Sequence, residues 1–173
     1  MTAMTGRPQP DEVGSYYFTY IDQVPGDNPL AVLESQLDRY VPPLLSISEE
    51  KSRYRYSPGK WSVREVLNHL SDTERAFVFR ALWFARGFDS PLPGYDQIIA
   101  ANGALADSIS WAAHVEEFKR VRLATIAFFQ NLPNDAWMRR GIASDNPFTV
   151  RALAFIVAGH VTHHFKILED RYF

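Results

Sequence analysis

The chain has 173 residues, 46% hydrophobic and 14% aromatic, which suits one globular domain with a substantial core and argues against disorder. Its 18 basic and 20 acidic residues form no run of like charge, so it lacks the basic stripe that a phosphate backbone requires, and nucleic acid is not an expected partner. No apolar stretch reaches membrane-spanning length, and the start MTAMTGRPQPDEVGSYY turns acidic and aromatic where a signal peptide is greasy, so a cytoplasmic protein with no membrane attachment is expected.

Residues 1–27 read as an irregular arm. Its SYYFTYIDQVPGDNP suits a segment laid against the domain, with Pro and Gly preventing regular structure. The first helix takes Asn28 as cap and Pro29 at its first position, then places Leu30, Leu33, Leu37 and Tyr40 at helical spacing, ending near Leu45 after VPP. The second opens on a capping box, Ser62 to Glu65, and carries Val66, His69, Leu70, Thr73, Phe77, Ala81 and Phe84 in one stripe to about Gly87. A Pro/Gly-rich connection containing SPLPGYDQ follows.

The third helix starts near Ser110, shows Val115, Phe118, Val121, Leu123, Ile126 and Phe129, and stops at NLPND. Glu116, Glu117, Lys119 and Arg120 mark its solvated face. The fourth, capped by Thr149, carries Leu153, Ile156, Val157, His160, His164, Ile167 and Leu168. Apart from short stretches such as SRYRYS, no period-2 pattern competes. The expected fold is all-α, with a four-helix bundle as the leading architecture.

The fourth helix contains HVTHH, three of the five histidines. Residues four apart share a helix face, so His160 and His164 can aim at one point, while His163 leans to the other edge of the stripe. With no cysteine in the chain, a transition metal must be held by His, Asp or Glu, and two imidazoles are too few for an ordinary site. His69, inward on the second helix, is a better third ligand than His114, which sits in a first turn beside charged residues. Three such imidazoles suit zinc and leave coordination positions open for water or a thiol. A single inward histidine is more often a hydrogen-bonded core residue, but burying three without a shared partner leaves several polar groups unmatched, at about 1 to 3 kcal/mol each.

Several stretches resemble the DinB/YfiT-like superfamily, the damage-inducible bundle proteins rather than the polymerase of similar name. YSPGKWSVREVLNHLSDTERAF resembles its second helix, with His69 at the metal position, and GHVTHHFKIL resembles its last helix, with the H-x-x-x-H pair at His160 and His164. YIDQVPGDNPLAVL and LPGYDQ extend the likeness over nearly the whole chain. The resemblance implies an up-down-down-up four-helix bundle and a three-histidine site for a divalent metal, zinc or nickel. It also implies a homodimer and a thiol S-transferase, isomerase or hydrolase activity, with a low-molecular-weight thiol such as bacillithiol or mycothiol as cosubstrate.

Other residues have two readings each. Asp72 either accepts a ligand histidine's second N–H or faces solvent, with the latter favoured slightly. Tyr95 and Asp96 either line the pocket or satisfy turns. Trp61 and Phe77 are core aromatics that also suit an apolar substrate. The alternative to an enzyme is a non-catalytic helical module that binds a metal or a small molecule.

Overall fold

Residues 6–173 are described by a computed structural model. They form six helices, α1 (Phe18–Ile21), α2 (Pro29–Ser46), α3 (Val63–Ala85), α4 (Gln97–Ala104), α5 (Trp111–Gln130) and α6 (Val150–Arg171), and one antiparallel hairpin, β1 (Arg140–Ala143) with β2 (Asn146–Thr149).

Each of the four long helices begins on a side-chain cap that satisfies a backbone N–H its own ladder cannot reach. Asn28 accepts from Ala31 N, Ser110 from Ala113 N and Thr149 from Ala152 N, and Ser62 with Glu65 forms both halves of a capping box. Pro42 and Pro43 lie inside the last turns of α2. They are exposed, as are Asp38 and Arg39, so the carbonyls that lose their partners turn to water. α3 stops where Gly87 takes φ +85°, a left-handed conformation that suits glycine.

The order of the helices follows from which ends meet. The Arg64 guanidinium, at the start of α3, donates to the Asp107 and Ile109 carbonyls just before α5, so α3 and α5 run parallel. Trp111 at the start of α5 donates from its indole to the Leu44 carbonyl near the end of α2, and Tyr172 after α6 donates to the Trp61 carbonyl before α3. Those two pairs are antiparallel. Gln36 bonds Ala158 and Thr162, and Tyr40 stacks on Phe165 at 3.8 Å, so α2 and α6 are parallel. The bundle is therefore up-down-down-up, and the segment between α3 and α5 must run back along its whole length.

The apolar core is split. One cluster gathers Tyr40, Leu44, Val66, Trp111, Phe118 and Phe165, and the other gathers Leu33, Phe77, Phe84, Ile126, Phe129 and Phe155. A polar layer crosses the bundle between them. In it Arg122 donates to Glu74 at 2.8 Å and to Gln36 at 2.7 Å, all three buried, and on the α3–α6 side lie His69 and His160.

Several expectations are corrected. The arm is not irregular throughout: Ser15–Tyr17 is a 3-10 turn leading into α1, and Arg7 ties the arm's carbonyls together by donating to Ile21, Val24 and Gly26. The long connection contains α4, and the stretch before Thr149 is a hairpin of two four-residue strands, too short to show an alternating pattern. The period-2 stretch SRYRYS forms no strand; its first two residues close a 3-10 turn at Lys51–Arg53. In α5, Leu123 faces solvent at 48% exposure while Arg122 is fully buried, because the polar layer requires its charge inside. His114, expected among charges, is buried with Nε2 at 2.8 Å from the Ala106 carbonyl.

The arm reaches the bundle over Gly159. A Cβ there would stand 1.9 Å from the Tyr20 carbonyl oxygen and 2.5 Å from its carbon, so only glycine lets the α1 backbone lie directly on α6. Gly159→Ala improves helix propensity by about 1 kcal/mol, yet it must push α1 aside, and a net loss of about 1–3 kcal/mol is expected from denaturant melts; a stabilised variant would contradict this contact. Glu74→Ala leaves the Arg122 charge buried without its carboxylate, and a loss of about 3–5 kcal/mol is expected in the same melts.

Candidate metal centre

His69 lies two turns into α3, and His160 and His164 lie one turn apart on α6, so the antiparallel contact of these helices brings three imidazoles to one place. One ring nitrogen from each falls within 4.8 Å of the others. His69 Nε2 and His160 Nε2 are 3.2 Å apart. The ring centroids are separated by 5.0 Å (His69–His160), 4.9 Å (His69–His164) and 4.6 Å (His160–His164). His69 and His160 are buried and His164 is half-buried.

Burial decides their charge. Loss of solvation holds His69 at a pKa of about 4 and His164 at about 3, the latter also opposed by the charges His69 and His163 would carry. The same desolvation, then repulsion from His164, His69 and His163, holds His160 well below the ordinary histidine value. At neutral pH all three are therefore neutral, and each has one lone pair to offer. On the far side of the His69 ring, Nδ1 lies 3.2 Å from Thr73 Oγ1. The tautomer that donates from Nδ1 to Thr73 leaves Nε2 free as a ligand, which is how an outer partner orients a metal-binding imidazole. Three converging neutral nitrogens fit a borderline divalent ion such as zinc or nickel and do not fit calcium or magnesium, which take oxygen.

Aromatic rings wall the cluster. Trp61 lies 4.9 Å from His69, Tyr20 5.1 Å and Phe77 6.1 Å from His160, centroid to centroid. A cavity of about 200 Å³ opens beside His160, with Tyr20, Thr73, Phe77, Arg80, Tyr95 and Ser144 among its lining residues. Burial, followed by the hydroxyl–hydroxyl hydrogen bond between Tyr20 and Tyr16 at 3.0 Å, pushes the Tyr20 phenol well above the usual tyrosine range.

The remaining candidates are placed as follows. The Asp72 carboxylate accepts from Asn68 and Arg75 on its own helix, while Thr73 stands at the His69 ring. Tyr95 lines the cavity, its phenol raised by burial and by the Asp72 charge and reached by the Thr73 hydroxyl. Asp96 caps α4, its Oδ1 accepting from Ile98 N and Ile99 N, and does not line that cavity. His163 stands outside the trio, 5.3 Å from the His164 ring and 5.5 Å from Tyr20.

Three contributors escape sequence reasoning. Thr73 sits one turn after His69, so its role was readable from that spacing. Arg80 continues the same stripe, three turns on. Tyr20 lies in the aromatic arm expected to pack on the domain, but nothing in the sequence aimed it at His160, because it arrives by the fold-back of the arm over Gly159.

Among curated proteins none matches this chain. Of solved structures, it is similar to YfiT from Bacillus subtilis, described as a probable metal-dependent hydrolase with an unusual four-helix bundle topology. That match has 14% identity and a TM-score of 0.64, covering 94% of this chain and 91% of YfiT. It is also similar to a mycothiol-dependent maleylpyruvate isomerase, with 14% identity and a TM-score of 0.68, covering 83% of this chain. The chain spans 60% of the isomerase's length. Both likenesses are of fold. The sequence profile of the DinB superfamily matches residues 33–168, from within α2 to near the end of α6. The chain belongs to the DinB superfamily.

Proposed function

We propose that the chain is a metal-dependent enzyme in which His69, His160 and His164 hold one divalent ion, zinc or nickel. In this reading it transfers a low-molecular-weight thiol to a small electrophile, or hydrolyses a small substrate. The observation that carries it is the trio of neutral imidazoles at the edge of an aromatic-walled cavity, with no carboxylate among the three ligand groups to close the coordination. When bound, such an ion supplies Lewis acidity, lowering the pKa of a thiol or water that joins it.

The chain's own residues do the rest. Thr73 Oγ1, 3.2 Å from His69 Nδ1, is placed to accept from that nitrogen and leave Nε2 for the ion. Tyr20 keeps its proton at neutral pH and, with Tyr16, offers a hydroxyl pair at the cavity wall for hydrogen bonds to a bound substrate. Phe77 and Trp61 shield the imidazoles from water, which strengthens every polar interaction made there. Support from known proteins is of the same kind: similar structures are described as a probable metal-dependent hydrolase and a thiol-dependent isomerase.

Purified protein is expected to hold about one divalent ion per chain by elemental analysis, lost in His160→Ala along with any turnover found in a screen of thiols against electrophiles. No bound metal after reconstitution would contradict the reading.

The pH dependence of the metal-free protein follows from the depressed histidines. Their unfolded pKa is about 6.5, so the unfolded chain binds more protons below that value, and stability present above about pH 6.5 is lost as pH falls through about 4 toward about 3. Thermal melts in chelator are expected to show Tm falling over that window, with a shallower fall in His69→Gln; an unchanged slope would contradict burial of the neutral ring.

A further inference from the structure

Three arginines are buried among the described residues: Arg64, Arg80 and Arg122. Arg64 pairs with Glu49 and donates to three further carbonyls, and Arg122 pairs with Glu74. Arg80, only 5% exposed, has no carboxylate partner among the described residues. One N–H group reaches Ser144 Oγ at 2.8 Å, and the Tyr17 hydroxyl lies within its influence. Its guanidinium carbon sits over the Phe77 and Phe148 rings, at 5.6 and 5.8 Å. A desolvated guanidinium without an anion is costly, and a planar fork of N–H donors is the shape that binds a carboxylate.

Arg80 faces the cavity beside the histidines. His69, Thr73, Ala76, Phe77 and Arg80 follow one face of α3, and side chains lean toward a helix's N-terminus, so the guanidinium leans back toward the histidine end. No lining residue of the cavity is acidic, so Arg80 carries its one formal charge, and the four tyrosines Tyr16, Tyr17, Tyr20 and Tyr95 with Phe77 supply flat walls. Such a site focuses a positive potential inside a low-dielectric enclosure.

We propose that this cavity takes a small carboxylate-bearing molecule with a flat, unsaturated body, its carboxylate seated on Arg80 and its far end directed at the histidines. The proposal deepens the enzymatic reading by naming its substrate class, and rests on that reading only for what happens at the histidine end. Tyr17 and Ser144 position the guanidinium, and the aromatic walls select the flat body.

Calorimetric titration of the full chain, metal-free and then metal-loaded, tests it with two probes, benzoate and its neutral analogue benzamide. Benzoate is expected to bind metal-free protein, with benzamide weaker by roughly tenfold or more, and Arg80→Gln is expected to lose benzoate by a similar factor while Arg80→Lys retains part of it. Binding of both probes with equal affinity, no binding of benzoate, or undiminished benzoate binding by a folded Arg80→Gln would overturn the proposal. The comparison of probes on unaltered protein stands even if Arg80→Gln does not fold. Because the first titration contains no metal, its failure is separate from a failure of the metal reading, which elemental analysis detects. Benzoate binding that appears only in metal-loaded protein and survives Arg80→Gln would place the carboxylate on the ion, and would equally overturn it.

Discussion

A polar layer buried at mid-height in a helical bundle must satisfy itself, and this constraint organises the molecule. Between the two apolar clusters, each long helix contributes at least one polar side chain: Gln36, His69 with Glu74, Arg122, and His160. On the α2–α5 side the requirement is met internally, by the Arg122 bridge to Glu74 and Gln36. On the α3–α6 side it is met by imidazoles that burial keeps neutral, with His69 Nε2 and His160 Nε2 3.2 Å apart, within reach of an N–H···N hydrogen bond. One hydrogen bond serves only two of the three rings, whereas a divalent ion held between them would use a lone pair from each.

The same layer explains why the arm and hairpin matter. Neither contributes a histidine to the cluster, yet both close the space around it. α1 lies on α6 over Gly159 and brings Tyr20 against His160. The β1–β2 turn brings Ser144 to Arg80, and the segment after α3 is pinned to the hairpin by the Leu92 and Ser144 backbone bonds, which sets Tyr95 at the cavity wall. The bundle supplies the rigidly held histidines, and the irregular segments supply the enclosure.

Much of this was legible in the sequence, for identifiable reasons. Asn28, Ser62 with Glu65, Ser110 and Thr149 announce four helix starts because capping is local chemistry. His160 and His164 could be paired because i, i+4 spacing fixes their geometry, and His69 could be chosen because its stripe points inward. Leu123 and Arg122 were harder: hydrophobicity favours the leucine inside, and only Glu74 and Gln36, distant in sequence, draw the arginine in instead. Tyr20 and Ser144 were beyond reach, since chain reversals bring them to the site and no periodic pattern encodes that. The short helix α4 and the four-residue strands fall below the length at which a period can be read.

X-ray absorption spectroscopy of the zinc- or nickel-loaded protein tests the central claim most directly. The account predicts three imidazole nitrogens at about 2.0–2.1 Å in the zinc form, with the imidazole outer-shell pattern reduced when any one of positions 69, 160 or 164 is changed. A metal bound without imidazole, or a three-imidazole shell unchanged when His69 is removed, would contradict it.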